Sequence, residues 1–124
     1  MTKVLLDTNF IITCVRNKID FFNEIPVMGL QIIIPKQVIS ELEAIARSKK
    51  KLKTKDGAVL SLSILLKNDF KLIDLHIKGN YVDKGIKKYA RENREIIIAT
   101  LDRDLKKLPN RKLIVRGKKR LEII

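Results

Sequence analysis

Short apolar blocks alternate with segments of helical periodicity along this chain. The blocks are predicted strands at residues 4–6, 31–34, 70–75, 96–100 and 113–115, and the periodic segments are predicted helices at residues 9–16, 20–27, 36–48, 54–67, 82–92 and 103–108. Strands that alternate with helices are typical of a parallel sheet flanked by helices. Residues 96–100 are apolar on both faces, as a central strand of such a sheet would be. The pattern predicts an α/β fold.

The length fits one domain, which we assign to residues 1–124. With 45% hydrophobic residues the chain can bury one core, and it is too short for two ordinary domains. No apolar run approaches the roughly 20 residues that span a bilayer. The first run, residues 4–6, ends at Asp7 and is too short for the core of a signal peptide. We expect a cytoplasmic protein with no membrane partner.

Several common active sites have no anchor in this sequence. It contains no Walker-type phosphate loop, no GxGxxG and no GxSxG motif. The single histidine, His76, lacks Cys or His neighbours at zinc-ligand spacing. The single cysteine, Cys14, lies in an apolar run and is predicted to be a buried side chain without a chemical role.

The charge balance leaves the partner open. The chain has 27 basic and 14 acidic residues, a net charge of +13 at pH 7. Such an excess attracts polyanions, including nucleic acids. A lysine-rich surface can also serve solubility or reflect life at high temperature. The net charge alone therefore does not identify the partner as a nucleic acid.

Two acids come directly after predicted strands. Asp7 follows the first strand, and Asp102 follows the strand at 96–100. Ligands of open parallel sheets bind outside the carboxyl ends of the strands, so these carboxylates face one crevice if their strands are neighbours. An Asp between a strand and a helix is also a good N-cap. Neither acid is decisive alone.

Two further acids lie on predicted helices. Glu41 is on the flank of the helix at 36–48, and Asp83 begins the helix at 82–92, where an acid also interacts favourably with the helix dipole. Four separated segments of a basic chain thus place an acid where this fold can bring them together. Clustered carboxylates repel one another unless a cation neutralises them, and an all-oxygen set selects hard ions such as Mg²⁺ or Mn²⁺.

In this order, these segments resemble the acidic motifs of PIN-domain nucleases, from about residue 2 to residue 118. The matching segments are residues 3–9 (Lys-Val-Leu-Leu-Asp-Thr-Asn), 34–42, 81–83 (Tyr-Val-Asp) and 98–105 (Ile-Ala-Thr-Leu-Asp-Arg-Asp-Leu). The opening with Asp-Thr-Asn is fairly specific. The resemblance implies a single PIN domain, a Rossmann-like three-layer α/β/α fold with a central five-stranded parallel sheet.

The resemblance also implies the roles of individual residues. The acidic quartet that holds Mg²⁺ or Mn²⁺ would be Asp7, Glu41, Asp83 and Asp102, supported by Thr8, Asn9 and Thr100, with Asp104 as an outer acid. The implied activity is hydrolysis of single-stranded or structured RNA by water, leaving 5′-phosphate and 3′-hydroxyl ends. In this hypothesis the metal activates the water and Glu41 orients it or a second metal.

Two branches of the family fit this sequence. VapC toxins share the length and the Asp-Thr-Asn opening, which implies an antitoxin partner. The nucleases of small-subunit ribosomal RNA processing are similar in the Thr-x-Asp-x-x-Leu motif and in the basic end at residues 114–121, which implies ribosome-assembly partners. Leu105 stands where the commonest toxin pattern has Phe, so the second branch is slightly favoured. A homodimer is expected only by analogy with the family.

Other classes remain open. A catalytically silent PIN-fold protein could bind RNA or act in ribosome assembly, although acids on an RNA-binding face weaken binding unless a metal uses them. A Toprim nuclease could use Asp102 and Asp104 but lacks a glutamate after its first strand. A receiver domain would need a second acid near Asp7 and a late lysine after a strand. Both fit fewer positions.

Basic residues near the acids are candidate RNA contacts. They are Lys49, Lys50, Lys51 and Lys53, which follow the helix of Glu41, and Arg103, Lys106 and Lys107, which follow Asp102. The run at 49–53 is equally readable as a solvated loop that interrupts the helical pattern. A second basic cluster lies at residues 116–120.

Overall fold

A mostly parallel sheet organises the computed structural model, which describes residues 1–49, 52–79 and 81–124, with the backbone alone for 52–54. The strands are β1 (Thr2–Leu6), β2 (Leu30–Pro35), β3 (Lys71–Ile73), β4 (Ile97–Ala99), β5 (Lys112–Arg116) and β6 (Arg120–Ile123). The helices are α1 (Thr8–Arg16), α2 (Phe21–Val27), α3 (Lys36–Arg47), α4 (Leu52–Leu66), α5 (Val82–Glu92) and α6 (Arg103–Lys106). The predicted α/β class is confirmed.

The strand order is β3-β2-β1-β4-β5-β6. The first five strands run parallel, and β6 pairs antiparallel with β5. The five-stranded parallel sheet is therefore as predicted, and β6 is an addition that the sequence analysis did not predict. Within the described residues the sheet thus has six strands.

The chain reverses its direction of winding beside β1. It first builds β2 and β3 on one side of β1, and after α5 it crosses to the other side for β4 and β5. Such a reversal leaves a crevice at the carboxyl ends of the two strands that flank it, which here are β1 and β4. The topology thus places the candidate site between these strands.

The core explains why the short apolar blocks are strands. Val4, Leu5 and Leu6 of β1 are fully buried, and so are Ile33 and Ile34 of β2. Strands covered by helices on both faces have no solvent side, so their sequences are continuously apolar. Cys14 is buried in the same core, as predicted, and burial raises the pKa of its thiol to about 12.

Some boundaries differ from the prediction. The basic run at 49–53 was predicted to lie outside a helix, but α4 already begins at Leu52. Thr54 was predicted to cap this helix, but its side chain is outside the described part of the structure. Among the described residues, no helix is long and apolar enough to cross a membrane.

Candidate active site

The two strand-end acids lie on neighbouring strands. Leu6 of β1 pairs with Ala99 of β4, and the Asp7 backbone N–H donates to the Ala99 carbonyl at 3.0 Å. This is the condition that the sequence analysis set for a shared crevice. Each acid also begins a helix, Asp7 at α1 and Asp102 at α6. The N-cap position therefore fixes both acids at the edge of the sheet.

Asp7 is a buried carboxylate with like charges nearby. It is 3% exposed, and its two oxygens accept hydrogen bonds from the Thr8 backbone N–H at 2.8 Å and the Thr100 hydroxyl at 2.9 Å. Burial raises its pKa to about 6, with smaller contributions from Asp83 and Glu41, although both hydrogen bonds act in the opposite direction. Ionised Asp7 thus lies in an environment that disfavours its charge.

Thr100 links the two strand-end acids. Its buried hydroxyl donates to Asp7 and accepts from the Asp102 backbone N–H at 2.9 Å. One Asp102 oxygen, Oδ1, accepts from the Asp104 backbone N–H at 2.8 Å. This chain of hydrogen bonds fixes the carboxylate of Asp7 relative to the backbone that carries Asp102.

Asp83 and Glu41 reach the same crevice from two helices. Asp83, in the first turn of α5, has a raised pKa because of desolvation and because of the charge of Asp102 and a hydrogen bond with it, with Glu41 adding to the effect. Both Asp83 and Glu41 also raise the pKa of Asp7. Asp83 therefore lies close enough to each of the other three predicted acids to interact with its charge. Glu41 also borders a cavity of about 500 Å³ beside α3.

A strand-end acid that the sequence analysis did not single out anchors α3. Asp74 follows β3, pairs with Lys36 Nζ at 2.9 Å and accepts from Gln37 Nε2 at 2.7 Å. These contacts hold its pKa well below the usual range. Because Lys36 and Gln37 form the first turn of α3, they fix the start of the helix that carries Glu41. Asp74 is thus neutralised, in contrast to Asp7.

A glycine sets the position of α5. A Cβ at Gly85 would lie 2.9 Å from Ile77 Cγ2 and 3.1 Å from Leu75 Cδ1. Only glycine allows this close approach without a shift of the neighbours. This approach packs α5, which carries Asp83 in its first turn, against the segment that follows β3.

The predicted supporting residues are placed differently from one another. Thr8 is buried beside Asp7, and its hydroxyl has no hydrogen-bond partner among the described residues. Asn9 is exposed in the first turn of α1, and among the described contacts its side chain makes no hydrogen bond to an acid. Asp104 is exposed and pairs with Lys107 at 3.6 Å.

The predicted RNA contacts are only partly described. Lys49, Arg103, Lys106 and Lys107 are exposed. Lys50 and Lys51 lie outside the described residues, and of Lys53 only the backbone is described. His76, which the sequence excluded as a zinc ligand, is exposed and lies 3.6 Å from Asp74.

The four acids have the ligand chemistry of a hard-cation site, but their side chains are not preorganised around one cation position. All four converging side chains are carboxylates, and Asp7 and Asp83 have raised pKa values, so a divalent cation would relieve their repulsion. Among the described residues, no three acidic, Cys or His side chains are grouped closely enough to hold an ion as they stand.

Comparisons with known proteins agree with this geometry. A family model described as a PIN-like domain matches residues 4–118. The ribonuclease VapC4 of Methanocaldococcus jannaschii is 36% identical over 130 aligned positions, which cover 99% of this chain and 97% of the relative.

Two solved structures share the fold. The PIN domain endonuclease Utp24 has a TM-score of 0.74 at 27% identity, over 97% of this chain and 90% of that one. VapBC2 from Rickettsia felis, solved with a DNA fragment from its promoter, has a TM-score of 0.64 at 19% identity, over 93% and 100% of the two chains, and this likeness concerns the fold alone. With a family match over nearly its whole length and a full-length relative, this chain belongs to the PIN-domain nuclease family.

Proposed function

We propose that this protein is a divalent-metal-dependent endoribonuclease that hydrolyses phosphodiester bonds in RNA. The observation that carries the proposal is the convergence of Asp7, Glu41, Asp83 and Asp102, which come from four separate elements, on the crevice between β1 and β4. A buried carboxylate with a pKa near 6 destabilises the fold at neutral pH, and such an arrangement is typical of a functional site. The 36% identical relative is named a ribonuclease.

Each acid has a distinct part in the proposed reaction. Asp7, Asp83 and Asp102 would hold Mg²⁺ or Mn²⁺, and Glu41 would orient the attacking water. A bound divalent ion would lower the pKa of that water and neutralise the charge of the phosphate. Thr100 keeps Asp7 in place through its hydroxyl group. Because water and not the ribose 2′-hydroxyl attacks, the products carry 5′-phosphate and 3′-hydroxyl ends.

The biological role follows one of the two family branches. The match to ribonuclease VapC4 supports the VapC branch, in which an antitoxin protein would hold the toxin inactive. The Thr-x-Asp-x-x-Leu motif and the basic end at residues 114–121 support the ribosomal RNA processing branch, with ribosome-assembly partners. The sequence alone slightly favoured the processing branch, but we now favour the toxin role, because the VapC4 relative is 36% identical and spans almost the whole of both chains. In either role the protein would act on RNA in the cytoplasm.

Cleavage of single-stranded RNA by the purified protein tests the proposal. We expect cleavage with Mn²⁺ or Mg²⁺, none with EDTA, and a loss of at least about a hundredfold in Glu41→Gln. Glu43→Gln is the matched control, because Glu43 is an exposed acid two residues away on the same helix. Equal activity of the wild type and Glu41→Gln would point to a contaminating nuclease and against the proposal.

The second candidate is a catalytically silent PIN-fold protein that binds RNA. This function is favoured by one observation: among the described residues, no three acidic, Cys or His side chains are grouped closely enough to hold a metal ion. Isothermal titration with Mn²⁺ separates the two functions. Binding of Mn²⁺ that Asp7→Asn abolishes supports the nuclease, whereas RNA binding without any Mn²⁺ binding supports the silent protein.

A further inference from the structure

Strands β5 and β6 form a hairpin that is strongly basic at its tip. We call residues 116–120, Arg-Gly-Lys-Lys-Arg, the basic hairpin. All five residues are exposed. Four of them carry a positive charge, and the nearest acid in the same hairpin is Glu122.

The sheet register places this hairpin at the same edge as the acids. Ala99 of β4 pairs with Leu113 of β5, so Arg116 lies three residues past its pairing point, as Asp102 does past Ala99. Because β4 and β5 are parallel, the hairpin begins about level with Asp102 and its tip extends beyond the edge. Two strand spacings separate β1 from β5, which corresponds to about 10 Å.

Most of the hairpin's charge is not neutralised by the protein. Arg116 Nε pairs with Glu122 Oε2 at 2.9 Å. Among the described residues, no carboxylate lies within ion-pair distance of Lys118, Lys119 or Arg120. Arg120 is nevertheless near enough to Glu122 to contribute to the lowering of its pKa. The tip therefore has cationic groups available to an anion.

Two local features of the hairpin work against stability. Arg116 and Arg120 are direct cross-strand partners, and like charges in that position repel. Lys118 has a φ of 64°, a left-handed conformation that residues other than glycine rarely adopt. Departures of this kind from local stability are expected where a segment has a function.

We propose that the basic hairpin binds the phosphate backbone of the RNA strand a few nucleotides away from the scissile bond. This inference rests on the proposed function, because it assigns the flanking part of the same substrate. An RNA strand that enters a crevice of four acids needs cations beside that crevice, and the hairpin supplies them at its edge. Contacts of this kind position the strand without reading its sequence.

Two triple variants of the full chain test the inference. Lys118→Asn, Lys119→Ala and Arg120→Thr remove three charges from the hairpin, and Asn keeps a residue that tolerates the left-handed backbone. The matched control removes three exposed charges from the opposite, amino edge of the sheet, by Lys71→Thr, Arg94→Ala and Arg111→Ala. Both variants have the same net charge, so only the position of the lost charges differs.

Binding of a single-stranded RNA oligonucleotide is measured in EDTA over a series of salt concentrations. For the hairpin variant we expect about tenfold weaker binding at low salt, and a slope of log K against log salt reduced by about 2, which is about 0.7 for each lost contact. The amino-edge variant should bind like the wild type. Equal weakening in both variants, or an unchanged slope in the hairpin variant, would overturn the inference.

Cleavage assays separate this inference from the proposed function. With Mn²⁺, the hairpin variant should show a raised KM and unchanged kcat on the oligonucleotide, and wild-type kcat/KM on a dinucleotide that cannot reach the hairpin. A lower kcat/KM on the dinucleotide would mean that the substitutions disturb the acids, against the inference. If the wild type binds RNA through the hairpin but never cleaves it, the proposed function alone fails.

Discussion

The two edges of the sheet differ in the groups that surround their buried polar side chains. At the amino edge, Lys112 is 6% exposed, and its ammonium group donates to the carbonyls of Leu108 and Asn110. At the carboxyl edge, Asp7 is 3% exposed and has the acids Asp83 and Glu41 as neighbours. Burial disfavours the charged form at both edges, but at the carboxyl edge the like charges of Asp83 and Glu41 add to that effect, and the hydrogen bonds to Asp7 do not offset it.

Asn110 extends this contrast. Its amide Nδ2 lies 3.2 Å from three carbonyls, that of Ala90 in the last turn of α5 and those of Asn93 and Ile96 between α5 and β4, and shares its two hydrogens among them. The amino edge therefore satisfies its buried donors, the Asn110 amide nitrogen and the Lys112 ammonium group, with backbone carbonyls, although Asn110 Oδ1 has no hydrogen-bond partner among the described residues. The carboxyl edge leaves a charge conflict that an external cation would resolve, and this difference separates a structural polar cluster from a candidate binding site.

The largest expected effect comes from disrupting the amino-edge cluster, which is formed by Asn110, Lys112 and the carbonyls to which they donate. Asn110→Ala removes the shared donor and leaves several buried carbonyls without it, so we expect the free energy of unfolding to fall by about 4 kcal/mol. Urea unfolding measures this, and the cleavage rate per folded molecule should stay unchanged. A loss below about 1 kcal/mol would show that the cluster does not hold the amino edge together.

The next effect is a gain in the free energy of unfolding, caused by a substitution at the carboxyl edge. The pKa of Asp7 is raised from 3.8 to about 6, so its proton stabilises the fold below pH 3.8, and that stabilisation is lost as pH rises through about 6. Asp7→Asn removes this penalty, and we expect up to about 3 kcal/mol higher unfolding free energy than the wild type at pH 8. The difference should shrink towards pH 4.

Urea unfolding in EDTA at both pH values measures this difference. Asp7→Asn should gain stability and lose cleavage activity. Asn110→Ala should lose stability and keep its cleavage rate per folded molecule. An Asp7→Asn protein less stable than the wild type at pH 8 would contradict the contrast between the edges.

Divalent cations should stabilise one edge only. Mg²⁺ or Mn²⁺ at a hundred times its dissociation constant raises the unfolding free energy by about 2.7 kcal/mol if it binds the folded state alone. We expect this in the wild type and in Glu43→Gln, and no such gain in Asp7→Asn. Thermal unfolding with and without EDTA measures it, and an equal gain in Asp7→Asn would place the cation elsewhere.

The smallest effect concerns Thr100. Thr100→Val keeps the shape but removes the hydroxyl that joins Asp7 to the Asp102 backbone, so we expect a loss of about 1–2 kcal/mol in stability and about tenfold in cleavage. Thr100→Ser retains the hydroxyl and should restore cleavage. If Ser fails to restore it, the methyl group and not the hydrogen bond determines the role of Thr100.

The fold and the acid positions were predictable because their signals are local. Apolar blocks such as residues 96–100 mark buried strands, and an Asp directly after a strand marks the start of the next helix as well as the sheet edge. Asp7 and Asp102 could thus be assigned before the strand order was known. Glu41 and Asp83 had weaker signals, because each alone is an ordinary helix acid, and they became candidates through the coincidence of four separated acids and through the family resemblance.

Other features had weak or no local signals. The strand β6 was missed because its basic flank resembles a solvated tail, although Leu121 and Ile123 alternate with Arg120 and Glu122 as in a half-buried strand. For Asn110 no local pattern exists, since its partners lie 14 to 20 residues earlier and depend on how α5 packs. The neutralisation of Asp74 by Lys36 likewise depends on tertiary structure.

The hydrogen bond between Thr100 and Asp7 joins residues 93 positions apart. The strand β1 is synthesised well before its sheet neighbour β4. A nascent chain shorter than about 102 residues therefore lacks Asp102 and half of the crevice walls. For a protein proposed to hydrolyse RNA, this order of synthesis keeps the growing polypeptide inactive until β4 and Asp102 have been made and folded against β1.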